Sequence, residues 1–221
     1  MSEVALTFDD GPHPMWTREI LRVLSETPTV PATFFVWGEQ ALDQPERISE
    51  MLRAGHSVQP HCWRHLAHWD LDAAQIRADI DRVSALLARF DVPAPRMWRP
   101  PWGRLRRTDS RRIAEERGLE LAGWTVDSHD WMGRPGDELY ADVKARIAAA
   151  RNEPAVVLMH DSFVEARQAR HRSDCEGTVE LVRRLIDDEE LTFMPLRHGL
   201  SANLTESPEV PAPGTEGPGP G

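Results

Sequence analysis

The stretch Val4-Ala5-Leu6-Thr7-Phe8-Asp9-Asp10-Gly11-Pro12 begins as an apolar run and ends in two adjacent carboxylates and a Gly-Pro pair. The apolar part has the length and composition of a buried strand, and the turn residues stop it. Six further short apolar runs follow, at residues 32–37, 57–59, 97–99, 119–126, 155–159 and 192–196. Helical patterns separate most of them. Ile76, Ile80, Val83, Leu87 and Phe90 recur at helical spacing, and Ser173 with Glu176 reads as a capping box ahead of Val179, Val182 and Ile186. Alternating β and α units predict an α/β fold around a parallel sheet, as a closed barrel or an open doubly wound sheet. The barrel is favoured, and seven strands instead of eight make it irregular.

Composition sets further bounds. A chain of 221 residues that is 40 % hydrophobic sustains one sizeable core, so a single domain is expected. Residues 205–221 hold five prolines and four glycines. Such a segment cannot bury a core, so residues 1–203 are expected to form the folded domain and 204–221 a disordered tail. The 26 basic residues against 36 acidic ones give a formal charge of −10, which argues against nucleic acid as a partner. Cys62 and Cys175 are too few for a disulfide framework and lack CxxC spacing, which suits a reducing compartment. No run approaches the ~18 apolar residues of a membrane span, so no membrane partner is expected. A strand starting at Val4 leaves no room for a signal peptide. The expectation is a cytoplasmic protein, although a secreted one trimmed of its leader reads the same.

Chemistry-bearing residues gather where the strands end. Adjacent side chains on a strand point to opposite faces, so Asp9 and Asp10 serve one site only if the chain bends, as Gly11 and Pro12 encourage. After the third strand comes His61-Cys62-Trp63-Arg64-His65, whose histidines share a face if the segment is a helical turn. Two imidazoles, a carboxylate and an open position are a catalytic metal's ligand set. His68 is a rival ligand. Arg99-Pro100-Pro101-Trp102-Gly103, Asp127-Ser128-His129-Asp130-Trp131 and Leu158-Met159-His160-Asp161 follow three later runs. In a parallel barrel all five clusters share one rim, where active sites are built.

The ordered set of these five motifs resembles the polysaccharide deacetylase family, the carbohydrate esterases of family 4 with the NodB homology domain. Its members act on chitin, peptidoglycan, xylan and nodulation-factor precursors. The resemblance runs from residue 4 to about 197 and implies a distorted, TIM-like barrel of seven or eight β/α units. It implies a metal-dependent hydrolase that removes acetyl groups from N-acetylated sugars. Asp10, His61 and His65 would be the metal ligands, Asp9 the general base oriented by Arg99, and His160 the general acid held by Asp130. Asp127 is placed loosely in the Arg99 network. The backbone N–H of Trp102 would stabilise the oxyanion. Pro101, Trp102, Trp131 and Leu158 would contact substrate, the last two as walls of an acetyl-methyl pocket. One divalent metal is implied, zinc by default, with cobalt, nickel or manganese also suited to these ligands. The chain departs from the family at Pro60, where Asn is usual, at Cys62, where Ser or Thr is usual, and at Trp102, where Tyr or Phe is usual.

Two features bear on substrate. Trp16, Trp63, Trp69 and Trp102 all fall beside motifs, and one or two are expected to face a sugar ring. Arg104, Arg106, Arg107, Arg111 and Arg112, with Arg167, Arg170, His171 and Arg172, suggest an anionic group on that sugar. The alternatives are an O-acetyl esterase, a hydrolase of another non-peptide amide, and a catalytically silent carbohydrate-binding protein. The last would be expected to have lost one of Asp9, Asp10, His61, His65 or His160, and none is lost. Oligomeric state is not legible.

Overall fold

Strand β1 (Ser2–Asp9) lies inside the sheet of the computed structural model, which describes residues 1–27, 30–150, 153–163, 174–197 and 204–206. From Val4 to Asp9 every residue of β1 is buried, the pattern of a parallel strand covered on both faces. Parallel to it run β2 (Ala32–Trp37) on one side and β8 (Ala155–His160) on the other. With β3 (Ser57–Cys62) and β7 (Val126–Asp127) the order is β3-β2-β1-β8-β7, and β9 (Leu191–Phe193) pairs with the start of β1. Two small parallel ladders stand apart: β4 (Met97–Trp98) with β6 (Glu120–Leu121), and β5 (Arg104–Leu105) with β10 (Thr205–Glu206). The helices are α1 (Trp16–Ser25), α2 (Gly38–Asp43), α3 (Pro45–Arg53), α4 (Ala73–Ala88), α5 (Arg107–Glu116), α6 (Gly136–Ala149) and α7 (Glu176–Ile186).

The parallel α/β expectation holds, and the sheet is a distorted barrel whose backbone ladder does not close. Side chains span the gap between β3 and β4. The Gln59 side-chain oxygen Oε1 accepts from the backbone N–H groups of both Arg96 and Met97 at 3.0 Å. The Trp98 indole N–H donates to the His61 carbonyl at 3.0 Å, and His61 Nδ1 lies 2.7 Å from the Arg99 carbonyl. Pro60 sits in β3, the last strand of the main ladder. A residue with no N–H to donate is tolerated there.

A second gap splits the expected strand at 119–126 into β6 and β7, which belong to different ladders. The reason lies between them. The carbonyls of Ala122 and Gly123 turn away from any ladder to accept from the Arg99 guanidinium at 3.1 and 2.7 Å. A smaller expectation also changes. Helix α7 begins at Glu176 after Cys175, so Glu176 is its first residue and not the fourth position of a capping box, while Ser173 lies outside the described residues. The complete capping box belongs to α4, where Asp72 and Gln75 exchange hydrogen bonds at 2.8 Å. Thr205 and Glu206, within the expected tail, pair with Arg104 and Leu105. Residues 207–221 lie outside the described residues.

The main core fills the space between the sheet and its helices. Phe8 and Phe34, both 0 % exposed, stack across β1 and β2 with ring centroids 4.9 Å apart. Burying a side chain of that size stabilises the fold by roughly 2–3 kcal/mol. Helix α7 packs between α1 and α6 on the same core.

The β3–β4 gap is directly testable. Gln59→Leu keeps the volume and leaves two backbone donors without an acceptor, so it is expected to destabilise the fold by about 2 kcal/mol. Urea unfolding should show a lower midpoint with an unchanged slope.

Candidate active site

Asp9 and His160 are direct register partners at the ends of β1 and β8, so the sheet itself sets them side by side on one rim. Asp10 comes next, and the expected bend is achieved at that residue, with φ 75°. A non-glycine residue in this region costs on the order of 1–3 kcal/mol and persists only where its surroundings hold it. Trp102 and His129, also on rim loops, have positive φ as well, 56° and 54°.

The turn brings Asp10 Oδ1 to 3.2 Å from His61 Nε2 and 3.3 Å from His65 Nε2. His61 lies one residue before the end of β3 and His65 follows a bend, so the helical turn expected for this pair is not what joins their faces. Asp79 on α4 holds the bend instead, accepting from the N–H groups of Trp63 at 2.8 Å and Arg64 at 3.2 Å. The Arg99 carbonyl can only accept, so His61 Nδ1 carries a proton and Nε2 faces the Asp10 carboxylate at 3.2 Å.

One ligand atom from each of Asp10, His61 and His65 lies within 4.8 Å of the others, and this donor set fits a divalent cation. Burial opposes ionisation of Asp10, but the imidazoles of His65 and His61, with His160 farther off, hold its carboxyl well below the usual carboxylate range. The rival, His68, is fully buried, with Nε2 3.5 Å from Asp79 and its ring against Trp98 at 5.8 Å. It is not part of the cluster.

On one side of the cluster stands the Asp9–Arg99 pair. Arg99 is 0 % exposed and donates to Asp9 Oδ1 at 2.8 Å and Thr7 Oγ1 at 2.9 Å, as well as to the two carbonyls already named. Its guanidinium lies 4.2 Å over the Phe35 ring. Asp127 is absent from this network, contrary to expectation. Its Oδ1 accepts instead from the His129 N–H at 2.9 Å, two residues on, because the rim turn at His129 folds back over it.

On the other side stands His160. Its Nδ1 lies 2.8 Å from Asp130 Oδ1, and Asp130 Oδ2 accepts from the His160 N–H and the Thr178 hydroxyl, each at 2.8 Å. Burial lowers the imidazole's affinity for its proton, but the Asp130 carboxylate, with Asp10 and Asp9, raises its pKa to about 10.

A cleft of about 520 Å³ joins both pairs to the cluster, lined also by Trp102, Gly103, Trp124, Asp127, Trp131, Leu158 and Phe163. Trp102 and Trp131 are 44 % and 48 % exposed, whereas Leu158 is buried. Pro101, expected at the substrate, is buried outside this lining, because the turn at Trp102 points the indole inward and the proline away. Trp102 packs on His65 at 4.2 Å and Trp69 at 5.2 Å between centroids, and Trp63 is core. Gly103, at φ 62°, leaves the space for Trp124, whose ring a Cβ there would meet at 2.2 Å.

Sequence reasoning missed Trp124, Phe163, Thr178, Thr17 and Asp161. Phe163 and Asp161 carried a signal, since both follow His160 on its loop. Thr17 and Thr178 reach the rim from helices and carried none. Among the arginines, Arg106 and Arg112 pair with Asp109, and Arg111 with Glu206. Arg104 lies over Trp69 at 4.7 Å. Arg167, Arg170, His171 and Arg172 lie outside the described residues, as does the side chain of Arg107.

The chain is similar to known proteins in sequence and fold. Residues 2–144 match the model of the family described as polysaccharide deacetylase. A chitooligosaccharide deacetylase of Bradyrhizobium sp. (strain ANU 289) is 35 % identical over 184 residues, covering 82 % of this chain and 80 % of the relative. One from Sinorhizobium fredii is 37 % identical over 189 residues, covering 83 % of each. The crystal structure of a peptidoglycan N-acetylglucosamine deacetylase in complex with 4-naphthalen-1-yl-N-oxidanyl-benzamide superposes with a TM-score of 0.75 at 27 % identity, covering 88 % of this chain and 86 % of that one. A family 4 carbohydrate esterase from Streptomyces lividans in complex with acetate gives 0.69 at 26 % identity, covering 86 % and 90 %. On the strength of these matches, the chain belongs to the polysaccharide deacetylase family.

Proposed function

We propose that the protein hydrolyses the acetamide of N-acetylated sugars in chitooligosaccharide-like or peptidoglycan-like glycans, with one divalent cation held by Asp10, His61 and His65. The observation that carries this reading is the register pair Asp9–His160: two groups side by side, one bound to a guanidinium and the other to a carboxylate, flanking the same three-ligand cluster. Zinc is the preferred ion, because two imidazoles and a carboxylate with open positions are a catalytic zinc donor set. When bound, such an ion supplies Lewis acidity, polarising a carbonyl and lowering the pKa of water toward ~7.

The chain's own residues do the rest. Arg99 holds Asp9 by Oδ1, which leaves Oδ2 to take a proton from the attacking water. Asp130 fixes the proton on His160 Nδ1, so Nε2 of the imidazolium faces the cleft and gives its proton to the departing amine. An amine leaves poorly unless protonated, so a base and an acid at one carbonyl are what the reaction requires. The Trp102 N–H, on the left-handed turn, serves as oxyanion donor, and Leu158 with Trp131 encloses the acetyl methyl. Arg104, over the Trp69 ring that packs on Trp102, supports an anionic substituent on a neighbouring sugar.

Acetate release from N-acetylglucosamine oligomers should vanish with chelator and return with zinc; release that survives exhaustive chelation would remove the metal from the reaction. Asp9→Asn should lower kcat by about 10²–10⁴-fold while the protein still binds metal, as checked by metal analysis of the purified variant. The pH profile gives a third test. The His160 imidazolium is present below a pKa of about 10 and is lost as pH rises through it. Asp130→Asn removes the carboxylate that raises this value, so the alkaline limb of kcat/KM should move to lower pH. An unmoved limb would assign the acid to another group.

A further inference from the structure

The turn that presents Asp10 is gripped from both sides by one residue. Asp161, next after His160, donates its backbone N–H to the Asp9 carbonyl at 3.2 Å, and its Oδ1 accepts from the Gly11 N–H at 3.0 Å. Asp10 is thus bracketed. The second oxygen, Oδ2, accepts from the Thr17 hydroxyl at 2.5 Å. That hydroxyl accepts in turn from the His13 N–H at 2.7 Å, so its own proton is directed to the carboxylate. Asp161 and Thr17 are 1 % and 0 % exposed, and neither lines the catalytic cleft.

The packing is as tight as the bonding. A Cβ on residue 11 would lie 2.0 Å from Asp161 Oδ2, so only glycine lets the carboxylate approach this turn. The Gly11 carbonyl is fixed separately by the Trp37 N–H at 2.8 Å. Asp10 stands at φ 75°, backbone that relaxes toward the extended region when nothing holds it. Such relaxation carries its Oδ1 away from the two imidazoles. Without Asp161, moreover, the Gly11 amide becomes a buried donor with no acceptor.

We propose that Asp161, fixed by Thr17, is a positioning residue that holds the Asp10 carboxylate in its metal-binding orientation. The proposal rests on Asp10, His61 and His65 being the metal ligands. Outer contacts of this kind set metal affinity through ligand orientation, and their loss costs about 10–100-fold.

The test is zinc affinity of the full chain by competition with a chromophoric chelator, with kcat and KM for a chitooligosaccharide measured at saturating zinc. The variants are Asp161→Asn, Thr17→Val and Thr17→Ser. Asp161→Asn keeps the shape but trades an oxygen for a donor, Thr17→Val deletes the hydroxyl, and Thr17→Ser restores it. Expected are a zinc Kd raised by about 10-fold or more in the first two, a lower kcat with KM little changed, and wild-type behaviour in Thr17→Ser. Unchanged zinc affinity in folded Asp161→Asn and Thr17→Val, even with lower melting temperatures, would overturn the proposal. Should Asp161→Asn not fold, the Thr17→Val and Thr17→Ser comparison decides. Failure of the unsubstituted chain to bind zinc overturns the metal reading and this proposal with it, and is told apart because it needs no variant.

Discussion

A guanidinium sealed from water joins the two halves of this rim. Arg99 binds Asp9 and Thr7 on β1, turns the carbonyls of Ala122 and Gly123 out of the sheet, and through its own carbonyl sets the tautomer of His61. Burying an isolated charge costs several kcal/mol, and only a full set of acceptors with a counter-charge offsets it. Arg99 has both. The Asp9 carboxylate, the His61 imidazole and the break between β6 and β7 are therefore not three features but one arrangement around a single side chain. Lysine could not replace it, since its point charge lacks the planar fork that reaches four acceptors.

The His160 side is built differently. Asp130 is buried, and its two oxygens accept from the His160 ring, the backbone N–H groups of His160 and Trp131, and the Thr178 hydroxyl. Arg99 draws its acceptors from strands and the segment between β6 and β7, whereas Asp130 draws one donor from a helix. Parallel register then brings the two systems together, because Asp9 and His160 occupy the same level of adjacent strands. Placement comes from the sheet, and proton affinity comes from the partners.

Much of this was legible in the sequence, for physical reasons. β1, β2 and β8 are buried on both faces, so their apolar runs stand out and their ends fall within a residue or two of where periodicity puts them. Asp9 and His160 end β1 and β8, Asp10 follows β1, and His61, His65, Arg99 and Asp130 lie in or shortly after β3, β4 and β7, so these candidates stood out together with the strand ends. The errors share a cause. The run at 119–126 is apolar throughout, and nothing local reveals that its carbonyls answer to an arginine more than twenty residues away. The helical turn drawn for His61 and His65, the place given to Asp127, and the inward Pro101 were all local readings of contacts that are set from elsewhere in the chain. Thr17, Thr178 and Gln59 act by contacts 37 to 144 residues distant, which no spacing rule encodes.

Where the backbone ladder stops after β3, four side-chain contacts carry the sheet across to β4. Beyond them lies the wall that bears Trp102 and Trp124. Backbone hydrogen bonds bind a strand whatever its sequence, whereas contacts of this kind bind only particular residues. That wall is therefore a replaceable panel: a different loop of a different length can be fitted there as long as it presents the same handful of groups at its edge, and the catalytic sheet behind it need not be rebuilt.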